Sequence, residues 1–149
     1  LILILMGINQ SINKINFIDV QKIVNNDLNS SIGTSTRATD RFLIINTLDA
    51  NNQECLITNT LHASKETSLI NELMTTNNKI PILIYGENCC DINVLHKYNQ
   101  LYKLGFVNLY VYIGGLFEWL LLQDYYGDEQ FPTTIKIIDI LKYKGTSKI

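Results

Sequence analysis

The hydrophobic residues of this chain fall into short apolar runs, separated by longer stretches with the spacing of a helix face. Four of the runs predict β-strands, at Phe42–Leu48, Cys55–Ile57, Ile80–Tyr85 and Leu109–Ile113. The run Ile80–Tyr85 is apolar almost throughout, which is typical of a central parallel strand covered on both faces. We therefore expect a sheet with this strand near its middle.

Apolar residues three and four positions apart predict the helices. Asn16 and Asp19 fit a capping box at the start of the first helix, and Gly105 and Gly127 stand where two later helices end. The polar stretch Asp27–Asp40 predicts a loop. The helical positions are Phe17–Val24, Glu66–Met74, Val94–Leu101, Phe117–Tyr126 and a last helix that turns Ile135, Ile138 and Leu141 inward.

Strands that alternate with helices in this rhythm indicate crossover units and hence a parallel sheet. The predicted fold class is α/β, with a central, mainly parallel sheet of about five strands and helices on both faces. No internal repeat is visible in the sequence. We expect residues 12–149 to form a single domain, preceded by an N-terminal arm at residues 1–11.

Composition and charge narrow the class of protein. The chain has 149 residues, 46% of them apolar and 17% charged, as in a globular domain with a sizeable core. Its net charge is −2, and Arg37 and Arg41 are its only arginines. Binding to nucleic acid is not expected, because a phosphate-binding surface normally carries a cluster of basic residues.

The chain contains three cysteines, Cys55, Cys89 and Cys90. An odd number with two adjacent thiols is a poor disulfide framework, so a reducing, cytoplasmic location is predicted. Cys55 lies in an apolar run and is expected to be a small core residue. His62 and His96 lack the spacing of a zinc site, and no cofactor is predicted.

The first residues allow two interpretations. The apolar run Leu1–Leu5 precedes Met6 and is far shorter than the ~20 residues of a membrane span. It is either an edge strand or translated sequence upstream of a start at Met6. In the second case Gly7 and Ser11 fit the N-myristoylation pattern, and only then is a membrane among the expected partners. Association with an assembled particle is a separate alternative.

The most specific signal lies after residue 80. There an apolar strand precedes a six-residue loop, a helix, Gly-Phe, another strand and the segment Gly-Gly-Leu-Phe-Glu-Trp-Leu-Leu-Leu-Gln-Asp at Gly114–Asp124, and Phe-Pro-Thr-Thr follows at Phe131–Thr134. This order resembles the rhodanese-like family, most closely a divergent branch that we associate with protists and large DNA viruses. The resemblance implies a rhodanese-like fold. It extends loosely back to Ile15, with Asn46 at the position of a family aspartate.

The resemblance makes the loop Gly86–Asp91 the candidate site, because family members hold a cysteine persulfide there. Its residues are Gly86, Glu87, Asn88, Cys89, Cys90 and Asp91. A loop from a parallel strand into a helix N-terminus also collects backbone N–H groups that favour an anion or thiolate. We expect these amides to converge on one point, with Asp91 capping the helix. Gly86 replaces the family's catalytic cysteine, which leaves Cys89 as the candidate nucleophile and Cys90 as the less favoured one.

The charge of this loop opposes sulfur transfer from thiosulfate. The family's loop arginines are absent, while Glu87 and Asp91 are acidic. A nearby carboxylate raises the pKa of a thiol and repels a dianion. We therefore expect Cys89 to titrate at or above the ~8.5 of a free cysteine. Gly86, at the corner between strand and loop, is expected to need a positive φ or a close backbone approach.

A dual-specificity phosphatase on this fold would need Cys-x5-Arg, but the corresponding positions are Leu95 after Cys89 and His96 after Cys90, so phosphatase activity is not expected.

Three other functions remain open from the sequence. The favoured function is a binding or regulatory module with an unknown protein partner and at most weak sulfurtransferase activity. The alternatives are a persulfide carrier that uses Cys89 with a protein donor or acceptor, and a structural or particle-associated protein that reuses the fold.

Overall fold

The chain forms a parallel sheet with helices on both faces, in a computed structural model that describes residues 11–30 and 41–149. The strands are β1 Lys14–Ile15, β2 Leu43–Asn46, β3 Thr60–Leu61, β4 Ile82–Tyr85 and β5 Leu109–Tyr112. The helices are α1 Phe17–Ser30, α2 Ala63–Thr76, α3 Asn93–Lys103 and α4 Gly115–Tyr126, followed by a 3₁₀ turn at Ile140–Tyr143.

The strands of the described residues follow the order β1-β5-β4-β2-β3, and every pair is parallel. The middle strand, β4, pairs along its whole length with β2 on one side and β5 on the other. All four of its residues are buried, as a parallel strand covered on both faces requires. The predicted α/β class and the central place of this strand are confirmed.

Two hydrophobic cores lie on opposite faces of the sheet. Alternate residues of β4 serve them: Leu83 and Tyr85 face the core formed with α1, α4 and the 3₁₀ turn, whereas Ile82 and Ile84 face the core formed with α2 and α3. Trp119 of α4 is fully buried and packs the helix against the sheet. Its indole Nε1–H donates to the Pro132 carbonyl oxygen at 3.2 Å.

The predicted helix ends agree with the structure at three places. The backbone N–H of Asn16 donates to the Asp19 carboxylate at 3.3 Å, and that of Asp19 donates to the Asn16 side chain at 3.1 Å, which forms the capping box. Gly105 and Gly127 follow the ends of α3 and α4 with φ of 100° each. The predicted loop Asp27–Asp40 is wrong at its start, because α1 continues to Ser30, and its remainder lies outside the described residues.

The predicted strand Cys55–Ile57 is wrong. These three residues are buried but pair with the C-terminal part of the chain, through an isolated antiparallel bridge between Ile57 and Thr133. The backbone N–H of Leu56 donates to the Thr134 hydroxyl, and the Thr134 N–H donates to the Leu56 carbonyl oxygen. The edge strand forms instead at Thr60–Leu61.

The predicted last helix is also wrong. Only the 3₁₀ turn Ile140–Tyr143 is present, and the residues expected to face inward are exposed, with Ile138 98% and Leu141 60% exposed. Tyr143 is the side chain that enters the core, and it is fully buried. The cause lies at the start of the segment, because the bonds between Thr134 and Leu56 hold the backbone extended where a helix would begin.

The predictions for the N-terminal arm fall largely outside the structure. Leu1–Leu5, Met6 and the lipidation candidate Gly7 are not among the described residues. The edge strand next to β5 is Lys14–Ile15, which the sequence pattern did not predict. Across residues 11–30 and 41–149, no helix is long and apolar enough to cross a membrane.

Candidate functional site

The candidate loop lies at the carboxyl end of the sheet, where parallel α/β folds bind their ligands. It leaves β4 at Gly86 and enters α3 at Asn93. The residue that follows β2, Thr47, lies beside it, because its backbone N–H donates to the Tyr85 carbonyl oxygen at 3.0 Å. The structure therefore brings together the ends of the two central strands and the beginning of a helix.

The Asp91 carboxylate lies within the loop and accepts two backbone amides and a hydroxyl. Its Oδ2 accepts the backbone N–H of Glu87 at 3.2 Å and the Thr47 hydroxyl at 2.8 Å. Its Oδ1 accepts the backbone N–H of Asn93 at 2.9 Å, at the N-terminus of α3, which is the predicted capping by Asp91. Of the loop amides expected to converge on one point, that of Glu87 reaches this carboxylate, whereas that of Cys90 donates to the Asn88 side chain.

Gly86 is required by this carboxylate. A Cβ at position 86 would stand 2.3 Å from Asp91 Oδ2 and 2.6 Å from the Val94 side chain, far inside van der Waals contact. Gly86 does not have a positive φ, so of the two reasons predicted for a glycine the close approach is the one that applies. The family's nucleophile position and Asp91 thus compete for the same space.

The N-terminus of α4 also closes on the loop. The backbone N–H groups of Leu116 and Phe117 donate to the carbonyl oxygens of Gly86 and Glu87, each at 2.9 Å. Gly115 permits this contact, since it has φ of 65° and a Cβ there would lie 2.6 Å from the Gly86 carbonyl oxygen. These two N–H groups are therefore hydrogen-bonded to the loop backbone and are not available to a ligand.

The two thiols of the loop lie outside this closed centre. Cys89 and Cys90 are both exposed, and their Sγ atoms are 3.8 Å apart. The backbone N–H of Cys90 donates to the Asn88 side chain at 2.9 Å, and the same side chain donates to the Tyr143 carbonyl oxygen at 3.0 Å. Asn88 thereby fixes the loop to the C-terminal part of the chain.

The electrostatics of Cys89 differ in cause from the sequence-based expectation. Its pKa is raised, as predicted, but chiefly by the neighbouring Cys90 thiol, with smaller contributions from partial burial and from the Glu118 carboxylate. Neither Glu87 nor Asp91, the predicted causes, is among its main causes. The Asp91 carboxylate points the other way, into the loop amides. The pKa of Glu87 itself is also raised, by burial of its carboxylate and by the nearby carboxylates of Asp91 and Asp49.

A cavity of about 390 Å³ opens beside the thiols. Its apolar walls come from β1, α3 and the end of β5, and Cys89 and Cys90 stand at its edge. Lys14 is the only cation among its lining residues. The apolar residues that line it are Ile12, Ile92, Val94, Leu95 and Ile113.

The end of β2 and the turn after it hold a pair of polar side chains, of which the sequence analysis identified only Asn46. Asn46, at the position of the family aspartate, exchanges two hydrogen bonds with Gln53, at 2.8 and 3.0 Å. The Asn46 side chain also accepts the Leu48 N–H and donates to the Leu61 carbonyl oxygen. Gln53 lies too far along the sequence, and in too polar a stretch, for any local pattern to have indicated the pair.

Two further predictions concern residues without a place in this site. Cys55 is fully buried and serves as a core residue, as expected. His96 is exposed on α3, and His62 is the N-cap of α2. Within the described parts of the chain, no three histidine, cysteine or acidic side chains form a group that could hold a metal ion.

Comparison with known proteins agrees with this architecture. No protein-family model and no curated protein matches the chain. Among solved structures it is similar to Ygr203w, a yeast protein tyrosine phosphatase of the rhodanese family, at 13% identity and a TM-score of 0.57, over 88% of this chain and 97% of that one. It is also similar to BH2092 from Bacillus halodurans, at 15% identity and a TM-score of 0.50, over 77% of this chain and 74% of that one.

These similarities define the fold of the chain. The parallel five-stranded sheet, with α1 and α4 on one face and α2 and α3 on the other, is a rhodanese-like α/β fold. At such low identity the activity of a neighbour does not follow from the shared fold.

Proposed function

We propose that this chain is a rhodanese-fold binding module with at most weak sulfurtransferase activity. One observation carries the proposal: the Asp91 carboxylate occupies the loop centre, where it accepts the amides of Glu87 and Asn93. A loop that already binds its own carboxylate offers fewer donors to an anionic substrate. The fold remains as a scaffold for binding.

The charge of Asp91 also opposes entry of an anionic substrate. Two like unit charges about 4 Å apart repel by about 1 kcal/mol in water and by about 4 kcal/mol at the dielectric constant of a protein surface. Thiosulfate and phosphate esters carry two negative charges near neutral pH, so they meet this repulsion twice. The loop from Gly86 to Asp91 contains no lysine or arginine to offset it.

The persulfide carrier is the second candidate, and the position of Cys89 favours it. The thiol is exposed at the edge of the apolar cavity, where a protein donor would reach it more readily than the closed loop centre. Its raised pKa weighs against this candidate, because the thiolate is the nucleophile in sulfur transfer.

Phosphatase activity, for which the yeast neighbour is named, is not carried over to this chain. The positions six after Cys89 and Cys90 are Leu95 and His96, so neither thiol has the arginine that would clamp a phosphate. The closed loop centre argues against phosphate esters as well.

Turnover assays on four proteins test the proposal. The wild type, Cys89→Ser, Gly86→Cys and the double variant Gly86→Cys with Asp91→Ser are assayed for sulfur transfer from thiosulfate to cyanide and for hydrolysis of p-nitrophenyl phosphate. We expect wild type and Cys89→Ser to be equal at background. Gly86→Cys should stay at background, because Asp91 fills the space of the new thiol, and only the double variant should gain sulfur transfer.

Two results would overturn the proposal. Wild-type turnover that Cys89→Ser abolishes, with Cys90→Ser as the matched control, would establish the persulfide carrier. Substantial thiosulfate turnover by Gly86→Cys alone would show that Asp91 does not close the loop. Circular dichroism of each variant confirms that inactivity does not come from unfolding.

A further inference from the structure

The helix α4 carries apolar residues both on the side that faces the core and on the opposite side of its C-terminal half. Leu116, Trp119, Leu120 and Gln123 are buried against the sheet. Apolar residues on the remaining side of a helix are normally covered as well. The exposed side lacks such a cover among the described residues, and we name it the α4 outer face; it consists of Leu121, Tyr125 and Tyr126.

Large apolar side chains are exposed on this face. Leu121 is 47% exposed, Tyr125 82% and Tyr126 53%. The rings of the two tyrosines meet edge to face, with centroids 4.7 Å apart, so they form one rigid aromatic surface. Tyrosine is among the residues that most often dominate binding at protein interfaces, since it offers a large contact area with little loss of conformational entropy.

The residues of the α4 outer face form a stripe suited to another helix. Leu121 and Tyr125 are four residues apart, which places them in a single row about 6 Å long at 1.5 Å per residue. Rows at this interval are the ridges by which helices pack into one another's grooves. The geometry therefore favours a helical partner over an extended segment.

A groove runs beside this row. It has a volume of about 440 Å³ and lies between the C-terminal end of α4 and residues 136–140. Asp124, Asp128 and Glu129 line it, together with the apolar Ile137 and Ile140. Its dimensions and mixed lining suit a long basic side chain, whose apolar stem would lie on the isoleucines while its charged end reaches the carboxylates.

The charge of the surface specifies the partner further. α4 carries Glu118 and Asp124 but no lysine or arginine. In the adjoining groove the one cation, Lys136, stands 3.8 Å from Asp128, and both side chains are mostly exposed, so this pair compensates little of the negative charge. A second copy of the chain on this face would set like charges opposite one another, which disfavours self-association.

We propose that the α4 outer face and its acidic groove dock an amphipathic helix of a partner protein, with apolar residues in one row and lysine or arginine beside them. This surface rests on the proposed binding function and gives it a location and a partner of defined chemistry. It lies apart from the loop thiols, so that binding here needs neither Cys89 nor an open loop centre.

A pair of synthetic peptides tests the proposal by titration into the full-length, ¹⁵N-labelled chain. The probe is a helix of about 18 residues with leucine in one row and lysine or arginine elsewhere, and its matched control carries glutamate in place of every basic residue. We expect the basic peptide alone to bind saturably, with shifts centred on Leu121, Asp124 and Tyr125. A scrambled basic peptide, which has the charge but no apolar row, should bind at least about tenfold more weakly.

Surface variants then separate docking from nonspecific attraction. Leu121→Ser should weaken binding about tenfold, and Asp124→Asn with Asp128→Asn should weaken it several-fold and reduce its salt dependence. The matched control is Met74→Ser with Glu72→Gln on α2, which changes an exposed apolar residue and an exposed acid elsewhere and should leave binding unchanged. Melting midpoints verify that all variants fold.

Specific outcomes would overturn the docking surface. These are equal binding of the acidic peptide, shifts that centre away from α4, binding insensitive to Leu121→Ser, or a dimer in sedimentation that Leu121→Ser abolishes. The titration requires no turnover, so its failure with an inactive wild type would remove the docking surface and leave the proposed function. Sulfur transfer by the wild type would instead remove the proposed function, whatever the peptides do.

Discussion

The turns that follow β2 and β4 solve the same structural problem with different chemistry. Both stand at the carboxyl end of neighbouring strands, and each is closed by one side chain that accepts backbone amides. After β2 that side chain is Asn46, which is 2% exposed and bonded to the equally neutral Gln53. After β4 it is Asp91, a partly exposed carboxylate bonded to Thr47 and to two amides.

The difference shows how a ligand-binding edge can be closed without loss of the fold. A neutral amide pair can be buried completely because every donor and acceptor finds a partner. A carboxylate in the loop after β4 keeps the anion-binding geometry of the amides but satisfies it from within the chain. The turn after β2 is therefore expected to contribute to stability. The loop after β4 is expected to determine which charged ligands can bind there.

Asn46→Ala should have the largest effect on stability. It removes the partner of both ends of the Gln53 amide and leaves the Leu48 N–H and the Leu61 carbonyl oxygen without their bond to it. Buried polar groups left unpaired cost about 1–3 kcal/mol each, so we expect a loss of about 3 kcal/mol in the free energy of unfolding. Urea denaturation measures it, with the exposed neighbour Asn51→Ala as control. A loss below about 1 kcal/mol would show that water replaces the network.

Gly86→Val should rank second, with a loss of about 1–3 kcal/mol from overpacking against Asp91 and Val94. A double-mutant cycle identifies the obstacle. Gly86→Ala should cost less in the Asp91→Ser background than in the wild type, because the carboxylate is the nearest contact of the added Cβ. Strictly additive losses would place the strain at Val94 and would weaken the claim that Asp91 occupies the nucleophile's space.

The second half of the chain was largely predictable from its sequence because its signals are local. The run Ile80–Tyr85, the spacing of Val94, Tyr98 and Leu101, and the glycines that end α3 and α4 each act within a few residues. They place β4, β5, α3, α4 and the candidate loop correctly. The resemblance to the rhodanese-like family added the fold as a whole, which no local pattern contains.

The failures have a common physical cause, since each depends on a contact distant in sequence. Cys55–Ile57 pairs with residues 133 and 134 and not with the sheet, and the same contact prevents the predicted last helix. Within the site, the sequence located the loop and its acids but not their orientation. Asp91 was expected to act on Cys89, whereas Thr47 and the loop amides hold it facing inward.

Glu87→Gln should have a smaller effect, and one that depends on pH. Burial and the nearby Asp91 and Asp49 raise the pKa of Glu87 above the ~4.3 of an unfolded chain. The folded state then binds this proton more tightly, so stability falls as pH rises from the unfolded pKa through the folded one. The variant should match the wild type near pH 4 and be more stable at pH 7, by less than about 1 kcal/mol because the side chain is partly exposed. A gain that persists at pH 4 would point to a cause other than charge.

Cys90→Ala should have the smallest effect and bears directly on the thiols outside the closed loop centre. The Cys90 thiol is the main cause of the raised pKa of Cys89, so its removal should lower that pKa toward the ~8.5 of a free cysteine. Alkylation of Cys89 by iodoacetamide near pH 7 should then become faster, by about two- to threefold, because more of the thiol is present as thiolate. Peptide mapping by mass spectrometry assigns the reaction to Cys89 in wild type and variant.

Glu118→Gln should have a weaker effect in the same direction, and Asp91→Asn should have almost none, because the Asp91 carboxylate faces the amides and Thr47. If Asp91→Asn accelerated the alkylation more than Cys90→Ala, the Asp91 charge would be the main influence on the pKa of Cys89. The loop centre and the outer thiols could then no longer be treated as electrostatically independent.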